Sequence, residues 1–100
     1  MINKKRLVAL TQKLIRINSE NPPGREWEIA QFIKRDMHSL GLVVKTYTFA
    51  KDRPNIVATL KGKAREASRQ ALLLSPHIDT VPAGNGWCHQ ILFKPKNKTR

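Results

Sequence analysis

The stretch "ALLLSPHIDTVPAG", residues 71–84, sets an imidazole, His77, one residue away from a carboxylate, Asp79, just after an apolar run that ends in Pro76. In extended backbone, residues two apart project to the same side, so these side chains can converge. A neutral imidazole is a good zinc ligand, and a ligating histidine usually donates its other ring N–H to a carboxylate or carbonyl that fixes its tautomer. His77 is thereby a candidate metal ligand, with Asp79 its partner or a group that orients a catalytic residue. The spacing alone is weak evidence for a site, since both residues are common in loops and Asp79 could form an Asx turn ahead of Pro82. One histidine does not make a zinc site, since catalytic zinc takes about three protein ligands.

The other reactive residue types point nowhere comparable. Cys88 and His89 are adjacent and lie beside a basic tail, a poor arrangement for a Cys-His zinc knot. Ser75 lacks the G-x-S-x-G elbow of a serine nucleophile. "GNGW", residues 84–87, has two glycines and opens no helix, so it reads as a turn carrying Trp87 to a packing site.

Several elements must hold the H-x-D. Leu7, Leu10, Leu14 and Ile17 recur at three- and four-residue spacing and predict an amphipathic helix over 4–17, stopped by Pro22, Pro23 and Gly24. A second helix is expected from about Glu26 to Leu40. Glu26 and Glu28 lie in its first turn, Ile29, Ile33, Met37 and Leu40 form its stripe, Trp27 and Phe32 widen the buried face, His38 is at the surface and Gly41 caps the end. The period then changes to two. "LVVKTYTFA" and "NIVATLKG" read as strands of a hairpin joined by "KDRPN", with Ile56, Ala58 and Leu60 on one face of the second. Residues 61–70 read as an exposed loop, and "ALLL" as a central strand covered on both faces. At the carboxyl edge of such a strand His77 and Asp79 would face the crevice where ligands bind in open α/β sheets. The expected class is α/β: two amino-terminal helices, a hairpin and a central strand.

Composition narrows the alternatives. The chain has 100 residues, is 40% hydrophobic and has a single cysteine, which suits one small domain without a disulfide framework. No apolar run approaches a membrane span, and the basic, apolar amino terminus lacks a cleavage site, so a cytoplasmic location is expected. The net charge is +12, and four cations without an acid fall in "KPKNKTR", residues 94–100. Such a tail reads as a solvated end; no nucleic-acid motif accompanies it.

"LLLSPHIDTVPAGNGW" resembles the first metal-binding motif of the zinc aminoacylase family, which includes acetylornithine deacetylase, succinyl-diaminopimelate desuccinylase and related carboxypeptidases and dipeptidases. "INSENPPGREWEIAQFI" and "LGLVVKTYTFAKDRPNIVATLKGK" are similar to that family's amino-terminal segment, in the same order. The resemblance implies that the elements form part of a mixed-sheet zinc-hydrolase catalytic domain, over residues 4–90, followed by a divergent basic tail at 91–100. It implies His77 as ligand of one zinc and Asp79 as the catalytic carboxylate that orients it. It further implies two zinc ions, a general-base glutamate, an N-acyl amino acid or peptide as substrate, and a homodimer formed through a lid domain. The bridging aspartate, general base and remaining ligands lie downstream in that family.

After Trp87 the pattern gives way to "CHQILFKPKNKTR". The expectation is an amino-terminal fragment of such a hydrolase, ended by a stop or frame change near residues 90–93, binding zinc weakly and inactive alone. Two alternatives stand beside it: a non-catalytic fragment that complements a separately encoded remainder, and a basic nucleic-acid-binding peptide.

Overall fold

The computed structural model describes residues 2–65 and 70–84. The order of elements is α1 (Lys4–Arg16), α2 (Trp27–Ser39), β1 (Val43–Ala50) and β2 (Arg53–Thr59). Two helices and an antiparallel hairpin make a small α/β arrangement, as the change of period from 3.6 to 2 after Gly41 predicts.

Asn3 starts α1, its side-chain oxygen accepting a hydrogen bond from the Arg6 amide at 3.1 Å. None of the residues of α1 is buried, so its apolar stripe is only partly covered. A fork from Arg6 to Asp36, at 3.0 and 3.1 Å, ties it to α2. Glu26 is the residue before α2 rather than within it, and its carboxylate makes no capping bond. Gly41 follows the helix with φ +83°, a left-handed conformation that glycine adopts without steric cost.

β1 and β2 pair from Val43↔Thr59 to Thr48↔Pro54, and an irregularity at Phe49 leads to Ala50↔Arg53. Arg53 and Pro54 therefore belong to the ladder, and the turn is Lys51–Asp52, with Asp52 at φ 61°. Val44, Thr46, Ile56 and Ala58 share the more covered face. Ile29 and Ala30 of α2 are the buried hydrophobic residues among those described, and Gly24, Pro54, Ser19 and Glu26 are buried with them.

Three expectations are corrected. Trp27 is half exposed and does not widen the buried face of α2. Leu40 and Leu60 are exposed, because each lies just beyond its element. Residues 71–74 form no strand, and Leu72, Leu73 and Leu74 are almost fully exposed. A strand exists only through a neighbour that takes up its N–H and C=O groups, and no described segment lies beside this run. Residue Trp87, the Cys88–His89 pair and the tail at 91–100 lie outside the described residues.

Candidate functional site

The H-x-D segment is anchored on the loop that stops α1. The Asn21 amide donates to the Thr80 carbonyl at 2.7 Å and the Thr80 amide to the Ser19 carbonyl at 3.0 Å, a parallel bridge between Glu20 and Thr80. Pro22 and Pro23 follow, each after a cis peptide bond, and the Gly24 amide closes the turn on the Glu20 carbonyl at 3.0 Å. The prolines do more than end a helix. The loop they belong to brings Asn21 against the segment that carries His77 and Asp79.

His77 and Asp79 do converge. Nδ1 of His77 lies 2.8 Å from the Asp79 carbonyl oxygen and 3.1 Å from Asp79 Oδ1. Both neighbours only accept hydrogen bonds, so Nδ1 carries the proton and the lone pair of the neutral ring sits on Nε2. The His77 side chain is 85% exposed. Its Nε2 is thus presented outward in the state a metal ligand needs.

Asp79 divides its two oxygens between partners. Oδ1 faces His77, while Oδ2 accepts a hydrogen bond from Asn21 Nδ2 at 3.2 Å. Asn21 foremost, with the backbone N–H of Asp79 and His77 adding, holds the Asp79 carboxyl below the usual aspartate range. The side chain is therefore an acceptor at neutral pH.

Behind Asp79 stands an ion pair. Arg53 Nη2 and Nε donate to Glu26 Oε1 and Oε2 at 2.8 and 3.0 Å, a two-point fork. Glu26 is 4% exposed, and Arg53 above all pulls its pKa below the ordinary glutamate value. The same contact holds Arg53 still more firmly protonated. Arg53 Nη2 also lies 3.9 Å from Asp79 Oδ2, close enough for attraction and too far for a hydrogen bond. Gly24 packs on the guanidinium, where a Cβ would come within 2.7 Å of Arg53 Nε.

Sequence reasoning finds His77 and Asp79 but not Asn21, Glu26 or Arg53. Their local signals are a helix stop, a helix start and a turn, each sufficient by itself. No spacing rule links residue 26 to 53 or 21 to 79. A groove of about 400 Å³ between α1 and α2, lined by residues including Arg6, Lys13, Phe32 and Asp36, lies apart from this cluster.

The donor set fits one zinc ligand and not a whole site. His77 has the protonation and exposure of a ligating imidazole, but among the described residues no three His, Cys, Asp or Glu side chains converge. No helix among them is long and apolar enough to cross a membrane.

Comparison with known proteins gives one relative of use. The chain is 38% identical over 80 residues to the N-formyl-4-amino-5-aminomethyl-2-methylpyrimidine deformylase of Halalkalibacterium halodurans, a match covering 79% of this chain and 18% of that protein. The chain thus spans less than a fifth of the relative's length. No family model matches, and no solved structure does.

Proposed function

We propose that this chain supplies the His77–Asp79 part of a zinc-dependent amidohydrolase of the zinc aminoacylase type, acting on an N-acyl amino acid, a peptide or another N-acyl amine. The observation that carries the reading is the His77 ring, held at Nδ1 by Asp79 with Nε2 exposed. The likeness to a deformylase supports its hydrolytic half, since removing a formyl group from nitrogen is amide hydrolysis.

The backbone carbonyl and the carboxylate of Asp79 both accept from His77 Nδ1–H, which leaves Nε2 as the unprotonated nitrogen. Asn21 above all keeps Asp79 ionised, so that it accepts from the imidazole rather than donating to it. What zinc contributes in such a site is Lewis-acid polarisation of the acyl carbonyl and a lowered pKa of water. By the resemblance, the general base and the other ligands come from segments other than these. The 100-residue chain is therefore expected to release no acyl group from an N-acyl amino acid on its own.

A chimera tests this: the matching segment of the Halalkalibacterium halodurans deformylase is replaced by that of this chain, and deformylation is assayed. The reading expects activity that His77→Ala abolishes. A folded chimera that is inactive with His77 in place, or active without it, contradicts the reading.

A second reading, a fragment that complements a separately encoded remainder, is favoured by the exposed run Leu72–Leu74. It expects the chain to form a soluble complex with such a remainder that Leu73→Asp disrupts. No complex formation by the unsubstituted chain rejects it.

A further inference from the structure

We propose that α1 docks flat on an anionic lipid surface, its apolar side entering the boundary between headgroups and acyl chains while its cations meet the lipid phosphates. The proposal goes beyond the His77–Asp79 site and does not depend on it.

Wound as an α-helix, Leu10, Leu14, Leu7, Thr11, Ile15 and Val8 share one arc of about 160° round α1. Leu7 and Ile15 are about half exposed, and none of the six is buried. The Thr11 hydroxyl is spent on the Leu7 carbonyl at 2.8 Å, so it brings no unpaired polar group to the arc. Lys5, Arg6, Lys13 and Arg16 lie on the opposite side. Lys4 falls within the arc in the first turn, where its long stem carries the ammonium back to headgroup level. The groove toward α2 is lined by Arg6, Ala9, Leu10 and Lys13 of α1, and Arg6 is held there by Asp36 at 3.0 Å. α2 therefore stands against the polar side of α1 and one margin of the arc, and Leu7 and Ile15 remain open.

The charge pattern selects the occupant. α1 carries five cations, Lys4, Lys5, Arg6, Lys13 and Arg16, and no acid in its 13 residues. A helix that covers a protein core calls for the apolar arc but not for a polar side of one sign. α2 is such a helix, and it mixes Glu28 and Asp36 with Lys34 and Arg35. A nucleic acid calls for the cations but not for an apolar half-cylinder. An anionic bilayer surface uses both, which is the combination that marks interfacial helices.

The test is sedimentation of the 100-residue chain with vesicles of phosphatidylcholine alone and of phosphatidylcholine mixed with phosphatidylserine. Binding is expected on the mixed vesicles and to be far weaker on the neutral ones. Leu7→Gln with Ile15→Gln keeps every charge and alters no buried residue. It is expected to weaken binding about 100-fold, since burying each such side chain is worth about tenfold or more. Lys5→Gln with Lys13→Gln is expected to weaken it about 25-fold, at about fivefold per cation near an anionic leaflet. Binding that survives the loss of Leu7 and Ile15 is general adsorption of a chain of net charge +12 and overturns the proposal. Equal binding to both kinds of vesicle, or none to either, overturns it as well.

Should the Leu7 and Ile15 changes unfold the chain, the unsubstituted protein answers the same question. With nitroxide-labelled lipid in the mixed vesicles, the amide resonances of α1 are expected to broaden before those of β1 and β2. Broadening centred on Leu72–Leu74 or on the hairpin contradicts docking through α1.

Discussion

Glu26 and Arg53, 27 residues apart in sequence, meet in a two-point fork in which the buried partner is the acid: the Glu26 side chain is 6% exposed and that of Arg53 41%. The pair joins the start of α2 to the start of β2, and Asp79 leans on its outer edge at 3.9 Å. Burial on one side only makes the two halves unequal in what their removal costs.

Removing the acid leaves a guanidinium that water can still reach, so Glu26→Gln is expected to cost the smaller part of the pair's contribution. Removing the cation leaves the little-exposed Glu26 carboxylate without its partner, the costlier of the two losses. Arg53→Met is therefore expected to lower the urea midpoint further than Glu26→Gln. Equal midpoints for the two variants contradict the assigned burial.

The same pair predicts a pH dependence. The folded-state pKa of Glu26 lies below the ordinary value of 4.5, so the unfolded chain binds its proton first as the pH falls. Its contribution is complete above the unfolded value and is lost as the pH drops through the folded one. Denaturation midpoints from pH 7 down to pH 3 are expected to fall below about pH 4.5, and less steeply in Glu26→Gln. A Glu26→Gln curve parallel to that of the unsubstituted chain rejects this.

Gly24 and Gly41 both have positive φ, at 78° and 83°, but only Gly24 has a neighbour where a Cβ would go. Gly41→Ala is expected to cost the left-handed backbone strain alone, about 1–2 kcal/mol. Gly24→Ala adds displacement of the Arg53 guanidinium from 2.7 Å and should cost more, together with a changed Glu26–Arg53 contact. Comparable losses of stability in the two variants are the outcome that excludes this packing.

Three consecutive exposed leucines, Leu72 to Leu74, are an apolar surface that water disfavours and other chains can cover. The 100-residue chain is expected to self-associate in sedimentation experiments, and Leu73→Asp to reduce that association. A monomer whose sedimentation Leu73→Asp leaves unchanged contradicts it.

Much of the fold is written in local sequence. Both helices end within about a residue of the positions that apolar spacing and Gly41 predict, and the hairpin follows from alternation. The turn is less legible, because Pro54 suggests a break while the ladder accommodates it opposite Thr48. "ALLL" shows the limit of such reasoning: an apolar run states that something should cover it, not that the described residues do. The H-x-D pair is legible because its residues are two apart. Asn21, Glu26 and Arg53 are not, because each joins the cluster through contacts between distant segments while satisfying a simpler local role.

The most direct test of the central claim is a zinc titration of the 15N-labelled chain followed at the imidazole nitrogens, with Asp79→Ala beside it. Carboxylate support of a ligating histidine is worth about 10–100-fold in metal affinity. The expected result is a response of His77 Nε2 at about tenfold or more lower zinc than His38, with Nδ1 still protonated and the advantage gone in Asp79→Ala. His77 and His38 responding together, in both proteins, would mean that the pair is a turn and not part of a metal site.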